Sequence, residues 1–189
     1  MQLKYLAIKF LSIILLMIVA TLFCSGCRPK YKQQDNPAVS AYPDQESIYR
    51  SNQLMIKQNI KSIRDRATVK GWELTETGTG VFYQILSSQP HAPIIKIGQG
   101  DRVILTYKLS LLDGTECYSS VNLGPKQFVV DKSEAELGLH EVVKLLSPGD
   151  SALIVIPPHR AFGLSGDGNR IPPRSILVYE IRIDSVARH

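Results

Sequence analysis

The chain is organised around one stretch, residues 100–114, whose sequence is GDRVILTYKLSLLDG. Apolar and polar side chains alternate along it, and this period of two predicts a half-buried β-strand that ends at the Asp113-Gly114 turn. Because a buried phenol needs a hydrogen-bond partner, Tyr107 either caps the core or directs its hydroxyl into a pocket. The predicted buried row consists of Val103, Leu105, Tyr107, Leu109 and Leu111.

The amino terminus resembles a secretory leader. Lysines precede an apolar run at residues 10–23, and small residues follow it. The run is short for a transmembrane helix, which needs about 20 residues. The ending Cys24-Ser25-Gly26-Cys27 resembles a bacterial lipobox, in which the leader is cut before a cysteine that is then acylated. We therefore expect residues 1–26 to be a signal peptide and Cys27 to carry a lipid that holds the protein on a membrane; an uncleaved anchor with an idle thiol is the alternative.

Composition excludes several classes of function. The formal net charge is +5, which is too small and too scattered for a nucleic-acid-binding surface. Four histidines lie far apart without ligand spacing, so we expect no metal site, and nothing in the sequence calls for a cofactor. Loss of the leader and acylation of Cys27 leave Cys117 as the remaining cysteine, which excludes an internal disulfide and leaves stability to a packed core.

Two segments separate the leader from the sheet-forming part of the chain. Residues 27–43 are polar and contain several prolines, which predicts a tether. Residues 44–70 form an amphipathic segment, with a helix from Asp44, its N-cap, to about Ala67. The stripe of residues 44–67 either docks on the chain's own domain or forms a dimer or partner seam, and its short length favours docking. Its apolar members are Ile48, Met55, Ile56, Ile60, Ile63 and Ala67.

The rest of the chain alternates short apolar runs with turn residues. Residues 71–97 predict a leading strand and a loop, and residues 98–186 predict one further domain. A single short helix is indicated at residues 134–146 by apolar positions at spacings of three and four. This pattern predicts an α+β fold with an antiparallel sheet. The expected strands cover residues 81–86, 103–111, 115–120, 125–130, 151–156 and 176–183.

Five motifs occur in an order that resembles the FKBP-type peptidyl-prolyl isomerases. They are VILTY at 103–107, LDG at 112–114, LLSPGD at 145–150, AFG at 161–163 and IPP at 171–173. Together with the lipobox they resemble a narrower group, the FKBP-like lipoproteins associated with gliding motility in some Gram-negative bacteria. The resemblance implies a curved antiparallel sheet wrapped across a short helix, preceded by an N-terminal helix, with the ligand pocket between sheet and short helix.

The resemblance also implies an activity and a place. The activity is cis–trans isomerisation of X–Pro bonds, which face a barrier of roughly 18–20 kcal/mol, and the partners are proline-containing polypeptides. The chemistry needs no nucleophile or metal, because a water-poor cleft can favour the twisted amide over the planar one. The expected location is the cell envelope, facing the periplasm or on the outer membrane. The alternative is a non-catalytic chaperone or assembly module with the same fold.

Motif matching assigns roles to nine residues of the expected pocket. Tyr107, Ile171 and Tyr179 keep the character that the family shows at these positions. Phe162 lacks the hydroxyl of the family's tyrosine. The resemblance implies catalytic roles for Tyr107, Phe162 and Tyr179, and substrate-binding roles for Cys117, Tyr118, Lys126, Glu136, Leu139 and Ile171.

Five of the nine positions differ more strongly from the family. Leu139 stands where a tryptophan commonly forms the pocket floor, and Lys126 replaces an aromatic wall. Glu136 stands where the family has an isoleucine whose backbone N–H contacts ligand. Cys117 and Tyr118 replace a phenylalanine and an aspartate. The expected pocket therefore has less aromatic area than is usual, and a charge where none is expected.

Overall fold

The computed structural model describes residues 44–88, 96–132 and 135–188. The predicted leader, the tether and the acylated cysteine lie outside these residues. No helix in the described part of the chain is long and apolar enough to cross a membrane.

The first described element is a long helix, α1, at Gln45–Lys70. Asp44 is its N-cap, as predicted, and the Asp44 side chain accepts a hydrogen bond from the Ser47 backbone N–H at 2.8 Å. The helix continues past Ala67 and ends at Gly71, whose φ of 67° lies in the left-handed region. Glycine adopts this conformation without steric cost, so it ends the helix here.

In the described residues, seven strands form one antiparallel sheet, in the order β1-β2-β6-β7-β3-β4, with β5 also paired to β3. The predicted α+β class with a curved antiparallel sheet is confirmed. The strands are β1 Thr75–Glu76, β2 Phe82–Ser87, β3 Arg102–Leu111, β4 Glu116–Ser119, β5 Lys126–Val129, β6 Ser151–Ile156 and β7 Leu177–Ala187.

Strand β3, the stretch that opens the sequence analysis, is hydrogen-bonded along both edges. One edge pairs with β7 over its whole length. The other edge is shared, because Arg102–Leu105 pairs with β5 and Lys108–Ser110 pairs with β4. The change from β5 to β4 as the partner falls next to Tyr107. There the Ser120 hydroxyl accepts a hydrogen bond from the Tyr107 backbone N–H at 2.7 Å.

Three short helical segments complete the described fold: α2 at Ser120–Leu123, α3 at Leu137–Val143 and a 3₁₀ turn at Pro158–Arg160. Helix α3 is shorter than the predicted 134–146, because the chain tightens beyond Val143 into i to i+3 hydrogen bonds such as Leu145 N–H to Val142 O at 2.8 Å. At Gly138 an added Cβ would lie 2.5 Å from Ile156, so glycine permits the close contact between α3 and β6.

The sheet has a packed cluster on each face. On the α3 side, Leu139, Val142 and Val143 are fully buried against the sheet. On the other side, Ile63 of α1 is fully buried in a second cluster with β2, β6 and β7. The docking interpretation of the helix is thus confirmed for its C-terminal half. The N-terminal half is open, since Ile48 is 46% exposed, and a dimer or partner seam there stays a prediction.

The burial pattern of β3 differs from the prediction at its C-terminal end. Ser110, expected on a polar face, is buried, and its hydroxyl donates to Val178 O at 3.5 Å. The reason is tertiary, because Ser110 pairs with Val178, which belongs to the cluster under α1. Tyr107 and Leu111, expected in the buried row, are only partly buried.

Candidate ligand pocket

A cavity of about 280 Å³ opens beside β3, and Tyr107 borders it. Its walls come from several elements, because β3, β4, β5 and β7 converge there with the start of α3. The lining residues are Tyr107, Leu109, Tyr118, Leu123, Gly124, Pro125, Lys126, Glu136, Phe162 and Tyr179.

Tyr179 of β7 forms the most buried part of the wall, with 1% of its surface exposed. Its ring centroid lies 6.0 Å from that of Tyr107, at an interplanar angle of 49°. Burial, followed by the charge of Glu136, raises the pKa of the Tyr179 hydroxyl well above its usual value. The hydroxyl therefore stays protonated, and it donates to Glu136 Oε1 at 2.6 Å.

An ion pair lies beside this hydroxyl. Lys126 Nζ donates to Glu136 Oε2 at 2.8 Å and to the Tyr179 oxygen at 3.3 Å. The ammonium is also 5.6 Å from the Tyr179 ring centroid, within the range of a cation–π contact. Buried charges are tolerated when they are paired and hydrogen-bonded, and here both conditions are met. One wall of the cavity is thus polar, and its two charges are paired with each other.

Tyr107 and Phe162 supply aromatic surface elsewhere in the cavity. Tyr107 is half-buried, and burial, with a smaller effect of the Glu136 charge, raises the pKa of its hydroxyl. Phe162 lies at the rim, where 36% of its surface is exposed. The opening predicted around Tyr107 therefore exists, with aromatic rings on it and a charged pair at one side.

Tyr118 connects β4 to the loop between β6 and β7. Its hydroxyl donates to Asp167, which also accepts from the backbone N–H groups of Asn169 at 2.9 Å and Ile171 at 2.8 Å. Burial opposes ionisation of Asp167, but these hydrogen bonds outweigh it and lower the pKa of the carboxyl. The hydrogen bond to Asp167 is also the main reason that the pKa of Tyr118 is raised.

Six of the nine residues assigned from the sequence line the cavity: Tyr107, Tyr118, Lys126, Glu136, Phe162 and Tyr179. The other three lie in the packed cluster on the α3 side, where Cys117, Leu139 and Ile171 are 1%, 0% and 2% exposed. Burial is also the main cause of the raised pKa of the Cys117 thiol. These three residues support the walls rather than face the opening.

Two residues with clear roles at the site are missed by the sequence reasoning. The Asp167 carboxylate accepts a hydrogen bond from the Tyr118 hydroxyl. The Arg170 guanidinium lies 5.6 Å from the centroid of the Tyr118 ring and donates to the backbone oxygen of Cys117 at 2.9 Å. Neither residue belongs to a local motif. Within residues 44–88, 96–132 and 135–188, no group of three or more His, Cys, Asp or Glu side chains could hold a metal ion.

Comparison with known proteins assigns the region that holds this cavity to a protein family. The model of the FKBP-type peptidyl-prolyl cis-trans isomerase family matches residues 95–184. These residues form an FKBP-type domain. Every residue that lines the cavity lies inside the match.

Individual relatives agree with this assignment. The chain is 33% identical over 132 residues to the FKBP-type 22 kDa peptidyl-prolyl cis-trans isomerase of Escherichia coli, covering 69% of this chain and 61% of that protein. It is 31% identical over 86 residues to the human peptidyl-prolyl cis-trans isomerase FKBP9, of which it spans 15% of the length.

A solved structure extends the likeness beyond the FKBP-type domain. The crystal structure of FkpA from Escherichia coli superposes with a TM-score of 0.56 at 25% identity, covering 82% of this chain and 78% of that chain. This coverage exceeds the length of the FKBP-type domain, so the likeness is not confined to that domain.

Proposed function

We propose that the FKBP-type domain catalyses cis–trans isomerisation of X–Pro bonds in polypeptide clients. The observation that carries the proposal is the cavity beside Tyr107, which has aromatic rings from three different elements and lies within the family match. Relatives that are named peptidyl-prolyl cis-trans isomerases support it.

The chemistry fits such a site. The planar X–Pro amide is held by resonance, and uncatalysed rotation takes tens to hundreds of seconds. The twisted transition state loses that resonance, so a cavity that excludes water and holds the twisted form lowers the barrier. In this chain the rings of Tyr107, Phe162 and Tyr179 are placed to hold the proline ring, and no covalent step is needed.

A protease-coupled assay of proline isomerisation on short peptides tests the proposal. We expect the native protein to accelerate isomerisation. Tyr107→Ala should lower kcat/KM by tenfold or more, since a 1.4 kcal/mol loss of transition-state binding is a factor of ten. An isomerisation rate equal to the uncatalysed one, with a folded protein, would refute the enzymatic function.

A second candidate is a non-catalytic module that binds extended chains as a chaperone or assembly factor. The observation that favours it is the ion pair of Lys126 and Glu136 in the cavity wall, together with Phe162, whose ring has no hydroxyl donor. Suppression of aggregation of an unfolded protein, without any effect on the isomerisation rate, would support this candidate over the first.

We also propose that the protein works in the cell envelope, held by a lipid on Cys27, and assists the folding of envelope or secreted proteins. The apolar run at residues 10–23 and the lipobox-like sequence that follows it support this location. The most specific part of the proposal is a link to gliding motility, which is supported by the resemblance to motility-associated lipoproteins.

A further inference from the structure

The more accessible of the two charges in the cavity wall is positive. Lys126 and Glu136 are the two ionic side chains among the described lining residues. They differ in accessibility, because the side chain of Glu136 is 4% exposed and that of Lys126 is 23% exposed. Both carboxylate oxygens are engaged, Oε2 by Lys126 at 2.8 Å and Oε1 by the Tyr179 hydroxyl at 2.6 Å. The reachable charge is therefore the ammonium.

The ammonium of Lys126 also keeps a donor for a ligand. A lysine side chain has three N–H donors. The described residues supply two acceptors, Glu136 Oε2 at 2.8 Å and the Tyr179 oxygen at 3.3 Å. The Tyr179 oxygen can accept a hydrogen bond from Lys126 because its own O–H group donates to Glu136. The third N–H of Lys126 is left for an acceptor inside the cavity.

Most of the other lining residues offer apolar surface, and the Tyr107 hydroxyl, which also borders the cavity, is a neutral donor. Leu109, Leu123 and Phe162 present hydrocarbon, and Phe162 has no hydroxyl. The Tyr118 hydroxyl already donates a hydrogen bond to Asp167. An acceptor on a bound peptide would therefore meet the strongest available donor at Lys126, and an anionic acceptor would gain most, because charge-assisted hydrogen bonds are roughly twice as strong as neutral ones.

We propose that Lys126 is a specificity-determining residue that selects an acidic side chain on the residue before the proline. The rotating bond joins the proline to that preceding residue, so in this proposal both residues bind at the cavity, with the side chain of the preceding residue towards Lys126, which lines it. The inference rests on the proposed isomerase function and adds the class of substrate to it.

Peptides of the form succinyl-Ala-Xaa-Pro-Phe, with Xaa as Glu, Gln, Leu or Lys, test the inference on the full chain. We expect kcat/KM to be about tenfold higher for Glu than for its uncharged isostere Gln, in line with a charged hydrogen bond in a partly buried site. The Lys peptide should be the poorest substrate. The preference for Glu should fall as salt is added, because the ammonium is partly exposed to solvent.

Two variants that lack Lys126, with one control variant, separate the role of Lys126 from general effects of charge. Lys126→Met should reduce the Glu-to-Gln ratio to about one. Lys126→Met alone leaves the buried Glu136 carboxylate without its cation, which is destabilising. The double variant Lys126→Met/Glu136→Gln avoids this cost, because the partner of Tyr179 is then neutral. Lys108→Met is the matched control, since Lys108 is 49% exposed on β3 and does not line the cavity; its ratio should stay near ten.

The outcomes distinguish this inference from the function it rests on. Isomerisation of all four peptides without preference for Glu overturns the inference and leaves the isomerase function intact. If no peptide is isomerised, that function is refuted, and fluorescence anisotropy of labelled Glu and Gln peptides decides the inference instead. Tighter binding of the Glu peptide that the double variant abolishes supports it; equal affinities, or no binding of either peptide, overturn it.

Discussion

At the scale of single residues, three side chains set the character of the cavity. Lys126, Glu136 and Tyr179 form a connected network of two hydrogen bonds to the carboxylate and one between lysine and phenol. Each residue satisfies the others, which is the condition under which polar groups are tolerated in a buried wall. The polar wall of the cavity in the FKBP-type domain is thus stabilised by contacts among its own members.

The Tyr179 hydroxyl gives a prediction at this scale. Tyr179→Phe removes a donor to Glu136 and an acceptor for Lys126 while keeping the ring. We expect the free energy of unfolding to fall by about 1–3 kcal/mol, the cost of leaving a buried charged acceptor short of a partner. Urea unfolding followed by circular dichroism measures it. Tyr49→Phe is the control, because Tyr49 is 60% exposed; equal losses in the two variants would contradict the expected role of the network.

At the scale of elements, the two faces of the sheet pack against different helices, and the cavity lies on one of them. Strand β6 alternates between them, with Ile154 and Ile156 in the cluster on the α3 side and Leu153 and Val155 in the cluster under α1. The cavity lies on the α3 side, since Tyr179 and Leu109 belong to that cluster. Packing under α1 therefore supports the sheet from behind the cavity.

Ile63 tests this division. It is fully buried under α1, so Ile63→Ala should lower the free energy of unfolding by about 2–5 kcal/mol through lost burial and a residual cavity. The activity per folded molecule should change little, because the cavity lies on the opposite face. Ile48→Ala, at a position that is 46% exposed on the same helix, should change stability by no more than about 0.5 kcal/mol.

Denaturant unfolding and the protease-coupled assay, run on the same preparations, check both parts. A large loss of activity in folded Ile63→Ala protein would show that α1 contributes to the cavity and that the two faces are not independent. A similar loss of stability in Ile48→Ala would show that the N-terminal half of α1 is also packed in solution.

At the scale of the whole molecule, the proposed anchor decides where the FKBP-type domain works. Cys27→Ser should abolish incorporation of labelled fatty acid in the native host, because the thiol is the acceptor in a lipobox. Cys117→Ser should be labelled like the native protein, since Cys117 is 1% exposed in the folded domain. Gel autoradiography of the purified proteins measures the label, and equal labelling of the Cys27→Ser protein would remove the anchor from the proposal.

Most elements were predictable because their signals are local. The alternation of residues 103–111 predicts β3, and Asp44 predicts the start of α1; both are confirmed. The errors arose where distant residues decide the environment. Ser110 is buried because Val178 of β7 lies beside it, and Leu139 faces the core rather than the cavity. Neither fact has a signal within a few residues of the position concerned.

The sequence by itself determined most of the strands, the N-cap of α1 and the order of motifs that resemble the FKBP-type family, because periodicity and capping act within a few residues of the chain. Only the tertiary structure decided the character of the cavity wall. Lys126 and Glu136 are 10 positions apart, and Glu136 and Tyr179 are 43 apart. They meet because β5, the start of α3 and β7 converge at one point, and that meeting turns an unexpected charge into a paired and accessible donor.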